Sequence, residues 1–598
     1  MKRRILFCNT VISLALVASQ GTSRSASTDS ASDIPHLRKQ GTATQLIVDG
    51  KPFLALAGEL LNSSATSVEY MKAVWPKLAE AKLNTVLAGV SWNQIEPQEG
   101  KFDFRVLDGV IEGARAHNLR LVLLWFGTWK NGLSSYPPDW VKKDFERFPR
   151  AQMVGDNTPW PVFGGPRSQV TGTRSVEIFS PLGEATRDAD ARAFAALMRH
   201  IKAVDGRRHT VLMIQVENEV GMQGDTRDRS PAANKAFEGP VPKELMDYLQ
   251  PRKDTLIPEL RQVWEAAGFK TSGTWAEVFG KGRPTEEIFM AWSFARYIGR
   301  VIEAGKAEYP LPMFVNSPQQ GFGKAPAPLR GSGQSGGPMP DAMDVWRAGA
   351  PQIDFISPDV YSPDFAGFCA KATRSGNPLF IPETGGGLKS TAARALYVFG
   401  RHDAIGFSPF AIDRWTGGGP DVVPASDLPG MYGFISRLAP LILEHQGKGT
   451  MTAVLLGPED KPQKIQLGNY TLEAAFLFPH SLPAVRPATE TWPTASVIIF
   501  ATGPDEYIMA GSAVSVLFTP NTPGPPLAGI GTVEEGNFVN GRWVPGRQLA
   551  GDDTAQGDFL AAWGDWKSGG WSGDTTGRGN NMLMRDLTIQ RVTLYRYR

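Results

Sequence analysis

The sequence predicts a (β/α)8 barrel followed by a C-terminal antiparallel β-sandwich, on three observations. Short apolar runs alternate with longer helical patterns between Phe53 and Ser408. Polar and aromatic residues gather just after those runs. From about Gly430, short Val/Ile/Thr/Phe-rich runs are separated by Gly/Pro turns instead. Strand–helix alternation implies parallel strands with crossover helices, and eight such units over about 400 residues suit a closed barrel with insertions. A doubly wound open sheet is the competing arrangement.

Taken in order, Phe53-Leu-Ala-Leu-Ala-Gly58 is the first strand, and Val68 to Ala81 is helical. Asn84 to Val90 is the second strand, followed by a helix over Leu107–His117. The third strand is Arg120 to Phe126, and Arg187–Val204 is helical. His209 to Val216 is the fourth strand, followed by a long, mostly helical stretch from about Ala233 to Glu308. Strands five to eight are Pro312–Asn316, Ile353–Ser357, Pro378–Glu383 and Ala404–Ser408. These assignments rest on apolar periodicity. Runs such as Val497–Phe500, Ala513–Phe518 and Leu587–Leu594 are the strands of the sandwich, with a Pro-rich turn over Pro520–Pro526. The expected division is a signal peptide over 1–26, a catalytic barrel over 36–430 and a sandwich over 431–598.

The signal peptide is read from Met-Lys-Arg-Arg, an apolar stretch over Ile5–Ala18 and a small-residue stretch after it. It implies export to the periplasm or exterior of a bacterium, with no stable membrane insertion after cleavage. Cys8 falls inside that segment, so Cys369 would stand alone without an intrachain disulfide. A net charge of +2, without long charged runs, gives no reason to expect a nucleic-acid partner. The 16 Trp suit either a large core or the stacking of sugar faces. No Cys/His cluster has metal-ligand spacing, so neither metal nor other cofactor is expected. The sequence says nothing of oligomeric state.

Barrel enzymes carry catalytic groups at the C-terminal ends of their strands. Those ends read Ser91-Trp-Asn-Gln-Ile-Glu-Pro97, Trp129-Lys-Asn-Gly132, Glu217-Asn-Glu219, Asn316-Ser317, Pro358-Asp-Val-Tyr361, Glu383-Thr-Gly-Gly-Gly387 and Asp413-Arg-Trp415. The fourth end is the most telling, because an apolar strand delivers two carboxylates that would be costly to bury without partners. Strands four and seven oppose each other in an eight-stranded barrel. Glu219 and Glu383 could therefore approach to roughly 5–5.5 Å, the separation of retaining glycosidases. Crowding two carboxylates keeps one protonated, as an acid must be.

Gln215-Val-Glu-Asn-Glu-Val-Gly221, together with Leu83-Asn-Thr-Val, Trp92-Asn-Gln-Ile-Glu-Pro97 and Gly100-Lys-Phe-Asp-Phe104, resembles glycoside hydrolase family 35, mostly retaining β-galactosidases with (β/α)8 barrels. The resemblance covers most of residues 50–420, and the C-terminal part resembles the β-rich domain of a bacterial subgroup. It implies Glu219 as acid/base, Glu383 as nucleophile and Asn218 as ligand of the sugar 2-hydroxyl. It makes Tyr361 the residue that orients the nucleophile, and Asn93 and Glu96 sugar contacts or braces of the rim. Trp129, Asn131 and Trp415, read from their strand ends alone, are further expected substrate-binding residues. Glu217 is read as buried support or a sugar contact. The chain departs from the family at Val220, where Tyr is usual, and at Trp129-Lys-Asn131, where the third-strand loop usually reads Ala-Glu. Galactose specificity therefore rests on the resemblance alone.

The expected protein is a secreted exo-β-galactosidase acting on carbohydrate, with side chains of plant polysaccharide such as xyloglucan as one substrate. The alternatives are a retaining glycosidase cleaving β-glucans or arabinosides, and a non-catalytic sugar-binding protein on the same scaffold. Gly333-Gln-Ser-Gly-Gly337 has the spelling of a serine-hydrolase elbow but sits in a Gly-rich loop, not between a strand and a helix.

Overall fold

The computed structural model describes residues 34–152, 178–223, 225–318, 334–385, 390–415, 428–457, 459–477, 494–562 and 587–598. The expected signal peptide lies outside them. Ala55–Glu59, Thr85–Ser91, Arg120–Lys130, Val211–Asn218, Met313–Ser317 and Phe355–Val360 pair in succession, all parallel. The seventh strand is interrupted at Pro382, which has no N–H to give to a ladder. Its first half, Phe380–Ile381, pairs with the eighth strand, Gly406–Phe407. Its second half, Glu383–Thr384, pairs with the sixth. The eighth strand pairs with the first, so the barrel closes.

Side chains alternate across each strand, and this sorts the barrel's residues. Ala55, Ala57, Leu87, Val122, Leu124, Phe126, Phe314, Phe355 and Phe380 fill the interior. Leu54, Leu56, Leu121, Leu123 and Trp125 face outward into the main core with the helices. Phe314 anchors the interior, with ring centroids 4.9 Å from Phe355 and 5.4 Å from Phe380. A three-stranded antiparallel sheet, His36–Gln40, Ala43–Val48 and Lys51–Phe53, precedes the barrel and was not expected. Its Leu46 and Val48 join the interior cluster and close the N-terminal end, which leaves the C-terminal end for chemistry. None of the described helices is long and apolar enough to cross a membrane.

The expected change to β texture at Gly430 needs a correction, because the helix Leu428–His445 comes first. It buries Met431, Phe434, Ile435, Leu438 and Ile442 at helical spacing. The buried Tyr432 directs its hydroxyl at the carbonyls of Ala57 and Phe407, at 2.7 and 2.8 Å, tying the helix to strands one and eight.

Two antiparallel sheets follow. The larger runs Met451–Leu456, Ala495–Ala501, Glu506–Ser512, Thr588–Tyr597, Leu527–Val539, Arg542–Leu549. The smaller runs Gln463–Leu467, Tyr470–Phe476, Val514–Pro520, Leu560–Ala561. Val497, Ile499, Met509 and Val592 of the larger sheet face Leu472, Val516 and Phe518 of the smaller. The alternate residues Ile498, Phe500, Ile508, Ala510 and Ile589 belong to the barrel's own core. At the helix Thr391–Arg401, which follows strand seven, the approach is so close that a Cβ on Gly400 would meet Ala453 and Ile498 at 2.7 Å. The first three strands of the larger sheet, Met451–Leu456, Ala495–Ala501 and Glu506–Ser512, are therefore buried on both faces, while Leu527–Val539 and Arg542–Leu549 are largely exposed.

Candidate active site

The C-terminal mouth of the barrel collects Glu59, Lys130, Asn218, Glu219, Asn316, Asp359 and Glu383, all buried or nearly so. Glu219 and Glu383, 164 positions apart in the sequence, are close enough for Glu219 to sense the charge of Glu383. Glu219 has its carboxyl pushed up to about 7, first by burial and next by the charge of Glu383, with Lys130 and Asp359 pulling it back. Glu219 thus keeps its proton near neutrality, as an acid beside a second carboxylate should.

The backbone that presents Glu219 is strained. Glu217 and Glu219 have φ of 63° and 43°, and Asn131 on the facing loop has 53°. The left-handed region costs a non-glycine residue of order 1 kcal/mol or more, and such residues cluster at functional sites. Here the strain is held by hydrogen bonds. The Glu219 N–H donates to Asn316 Oδ1 at 2.9 Å, and Asn131 N–H donates to the Asn218 carbonyl at 3.0 Å. The Asn218 Oδ1 accepts from Gln215 at 3.2 Å and Asn316 at 3.3 Å, while its Nδ2 donates to Asn131 Oδ1 at 3.0 Å. An amide nitrogen carries two protons, so Asn218 keeps one N–H beyond the bond to Asn131.

Glu383 lies opposite Asp359 in the parallel ladder. Tyr361 O–H donates to Glu383 Oε1 at 2.6 Å, which fixes the carboxylate through one oxygen. Burial of its hydroxyl, then the charge of Glu383 and that bond, push the Tyr361 phenol far up, so it remains a donor. Asp359 accepts from Asn316 Nδ2 at 2.6 Å. Burial, then the charges of Glu383, Glu219 and Glu59, hold its carboxyl well above the usual range.

One expected substrate contact, Trp129, is corrected, and Glu96 takes the bracing role of the two expected for it. Trp129 is fully buried behind the barrel wall. Its indole N–H donates to the Phe179 carbonyl at 3.2 Å, and its ring packs edge-on against Phe294 and Tyr297. Glu96 is buried with both oxygens engaged locally, by Trp92 Nε1 and by the Gly100 N–H, each at 2.8 Å. It braces its own loop. Asn93 is exposed on the short helix Trp92–Ile95 at the rim, and its backbone N–H donates to the Tyr136 carbonyl. Asp413 braces the loop after strand one through Leu61 N–H and Ser64 Oγ. The expectation for the side chain of Trp415 falls outside the described residues.

Sequence reasoning missed Glu59 and Lys130. It had stopped strand one at Gly58 and strand three at Phe126, one and four residues short. The parity of Ala55 and Ala57, which point inward, was the available signal for Glu59. Asn316 and Asp359 stood in the quoted strand ends but had no assigned role.

Comparison with known proteins agrees with a carbohydrate-active site. Residues 64–280 match the model of glycoside hydrolase family 42, described as β-galactosidase, and residues 428–561 match a domain of unknown function, DUF5597. An exo-β-D-glucosaminidase of Thermococcus kodakarensis is 32% identical over 126 residues, 19% of this chain and 15% of that protein. A β-galactosidase of Xanthomonas manihotis is 28% identical over 194 residues, 32% of this chain and 27% of that protein. The matches thus span about a quarter or less of these relatives. Among solved structures, a β-galactosidase from Bacillus circulans sp. alkalophilus is 17% identical with a TM-score of 0.42, covering 65% of this chain and 57% of that one. One from Rahnella sp. R3 is also 17% identical, with a TM-score of 0.41, covering 67% and 58%. The family model matched is family 42, and family 35 specifically is not confirmed.

Proposed function

We propose that the protein is an exported, retaining exo-β-galactosidase, with Glu219 as acid/base and Glu383 as nucleophile. The observation that carries this is the pairing of a carboxyl held up at about 7 with a second carboxylate across one barrel mouth. Glu383 attacks the anomeric carbon as the bond to the leaving oxygen breaks, and Glu219 gives that oxygen its proton. A glycosyl ester on Glu383 results. Glu219, now ionised, takes a proton from water as the water attacks the same carbon and releases Glu383. Tyr361 occupies Oε1 of the nucleophile, leaving Oε2 to attack. The remaining N–H of Asn218 suits the sugar 2-hydroxyl, a contact that strengthens in the transition state.

Galactose as the glycone is supported by the family match and by the resemblance of the strand-two and strand-four segments to family 35, which remains our finer reading of the lineage. Plant polysaccharide side chains are the proposed natural substrate, since an exported enzyme would meet them. A panel of nitrophenyl glycosides tests the glycone; release from the β-galactoside in preference to the glucoside and arabinoside is expected, and none from it would remove this reading. Labelling with a 2-deoxy-2-fluoro galactoside should leave the sugar on the peptide carrying Glu383, and on no other.

A further inference from the structure

Glu59 and Lys130 take no part in the bond-breaking steps above, yet both are buried in the same mouth. Glu59 ends strand one, is 2% exposed, and its Oε1 has no hydrogen-bond partner among the described residues. Leaving a buried polar atom unpaired costs about 1–3 kcal/mol, so a folded protein tends to retain one only where something else pairs with it. The backbone fixes where Glu59 sits. Its N–H donates to the Pro409 carbonyl, and Phe410 bridges Glu59 on one side and Gly385 on the other. Only the end of strand eight thus separates Glu59 from the segment carrying Glu383.

Lys130 is Asn218's partner in the ladder between strands three and four. It is 8% exposed, and its Nζ lies 4.7 Å from the centroid of the interior Phe126 ring. The ammonium is therefore folded into the mouth. Among the described residues it makes no ion pair, although Glu59, Asp359 and Glu219 all sense its charge. Strand two runs between strands one and three; Leu87 is Glu59's partner there, and Gly89 stands two residues further toward the mouth. A Cβ at Gly89 would strike the Phe126 ring at 2.6 Å and stand 3.3 Å from the Asn62 carbonyl. Strand two therefore adds no side chain to the mouth at Gly89.

Resting on the glycosidase reading, the geometry points to Glu59 and Lys130, at the ends of strands one and three, as a specificity-determining pair binding the hydroxyls of the terminal sugar on the edge away from its anomeric carbon. The carboxyl accepts from and donates to hydroxyls, and the ammonium donates to their oxygens. The ligand class is a neutral hexopyranoside. A sugar acid would bring another carboxylate to a mouth that already holds four carboxyl groups against one ammonium.

The test compares wild type with Glu59→Gln and Lys130→Met on the nitrophenyl glycoside the wild type cleaves and on its 3-, 4- and 6-deoxy analogues. A charge-assisted hydrogen bond predicts that each variant loses about 10- to 100-fold in kcat/KM on the parent. On the analogue lacking the contacted hydroxyl, that loss should shrink to about threefold or less, as for any interaction whose partner is already gone. Equal losses on the parent and every analogue, or no loss, would overturn the pair's role while leaving the glycosidase reading standing. A wild type that cleaves no glycoside would overturn both. Thermal melting of each variant separates a folded enzyme with a changed pocket from an unfolded one, and Lys130→Arg, which keeps the charge, should recover part of the loss.

Discussion

Two buried carboxyl pairs sit two residues apart on strand four, and they differ in what fills the space around them. Glu217 points behind the wall. Its oxygens accept from the Thr128 and Trp129 N–H groups at 2.9 and 2.7 Å. Its partner Asp190 accepts from Trp125 Nε1 and Thr128 Oγ1, each at 2.8 Å. Burial raises both; Asp190 then raises Glu217 further, while the hydrogen bond with Glu217 pulls Asp190 back, so the pair shares a proton in a sealed pocket. Glu219 and Glu383 also crowd each other, but they sit at the barrel's mouth, where Glu219 meets Asp359 and Glu383 meets Tyr361. Burial alone does not mark a reactive carboxyl. The backbone at Glu217, with its φ of 63°, sends neighbouring carboxyls to opposite sides of one wall.

The sharpest way to break this contrast is Glu383→Gln. Loss of the attacking oxygen should lower kcat on the order of 10⁴-fold, with melting temperature nearly unchanged. Glu219→Gln should cost about 10²–10⁴-fold on substrates with poor leaving groups and far less on a dinitrophenyl glycoside, which departs without a proton. Equal losses on the two would sink the acid assignment.

Glu217→Ala tests the other pair. It strips two backbone N–H groups of their acceptor inside the wall and should destabilise by about 2–5 kcal/mol in denaturant unfolding. A stable variant that has lost only activity would show that Glu217 touches substrate.

Stability against pH sharpens the comparison further. The folded-state pKa of Glu219 is raised above its unfolded value, so this group's contribution is fully present below about pH 4.5 and is lost as pH rises through about 7. Glu219→Gln should therefore gain about 1–3 kcal/mol over wild type at pH 8, and show little difference at pH 4. Smallest in effect, Lys130→Met should move the alkaline limb of kcat/KM upward from near 7, because the ammonium pulls the Glu219 carboxyl down. A downward move would remove Lys130 from the acid's surroundings.

Much of the barrel was legible because its strands are apolar runs of the right length, with Gly/Pro punctuation between them. Glu219 and Glu383 could be singled out because they stand at the ends of such runs, and Tyr361, four residues past its run, through the family resemblance. Three features were hidden for physical reasons. Strand three extends four residues through a register shift after Trp125, so Trp129 was read as a rim residue, although it points outward like Trp125. Both oxygens of Glu96 are consumed by neighbours within four residues, which composition cannot reveal. The helix Leu428–His445 contains Pro440 and two Gly, residues that read as turns until the apolar spacing is followed through them.

The three strands buried on both sides, Met451–Leu456, Ala495–Ala501 and Glu506–Ser512, give the molecule a party wall. The strand that puts Val497 and Ile499 into the sandwich puts Ile498 and Phe500 into the masonry of the barrel. Cutting the chain after the helix Leu428–His445 would strip that masonry bare, directly behind the helix that follows the nucleophile's strand. A shortened enzyme should clump rather than work, and the two halves should melt together in a single step.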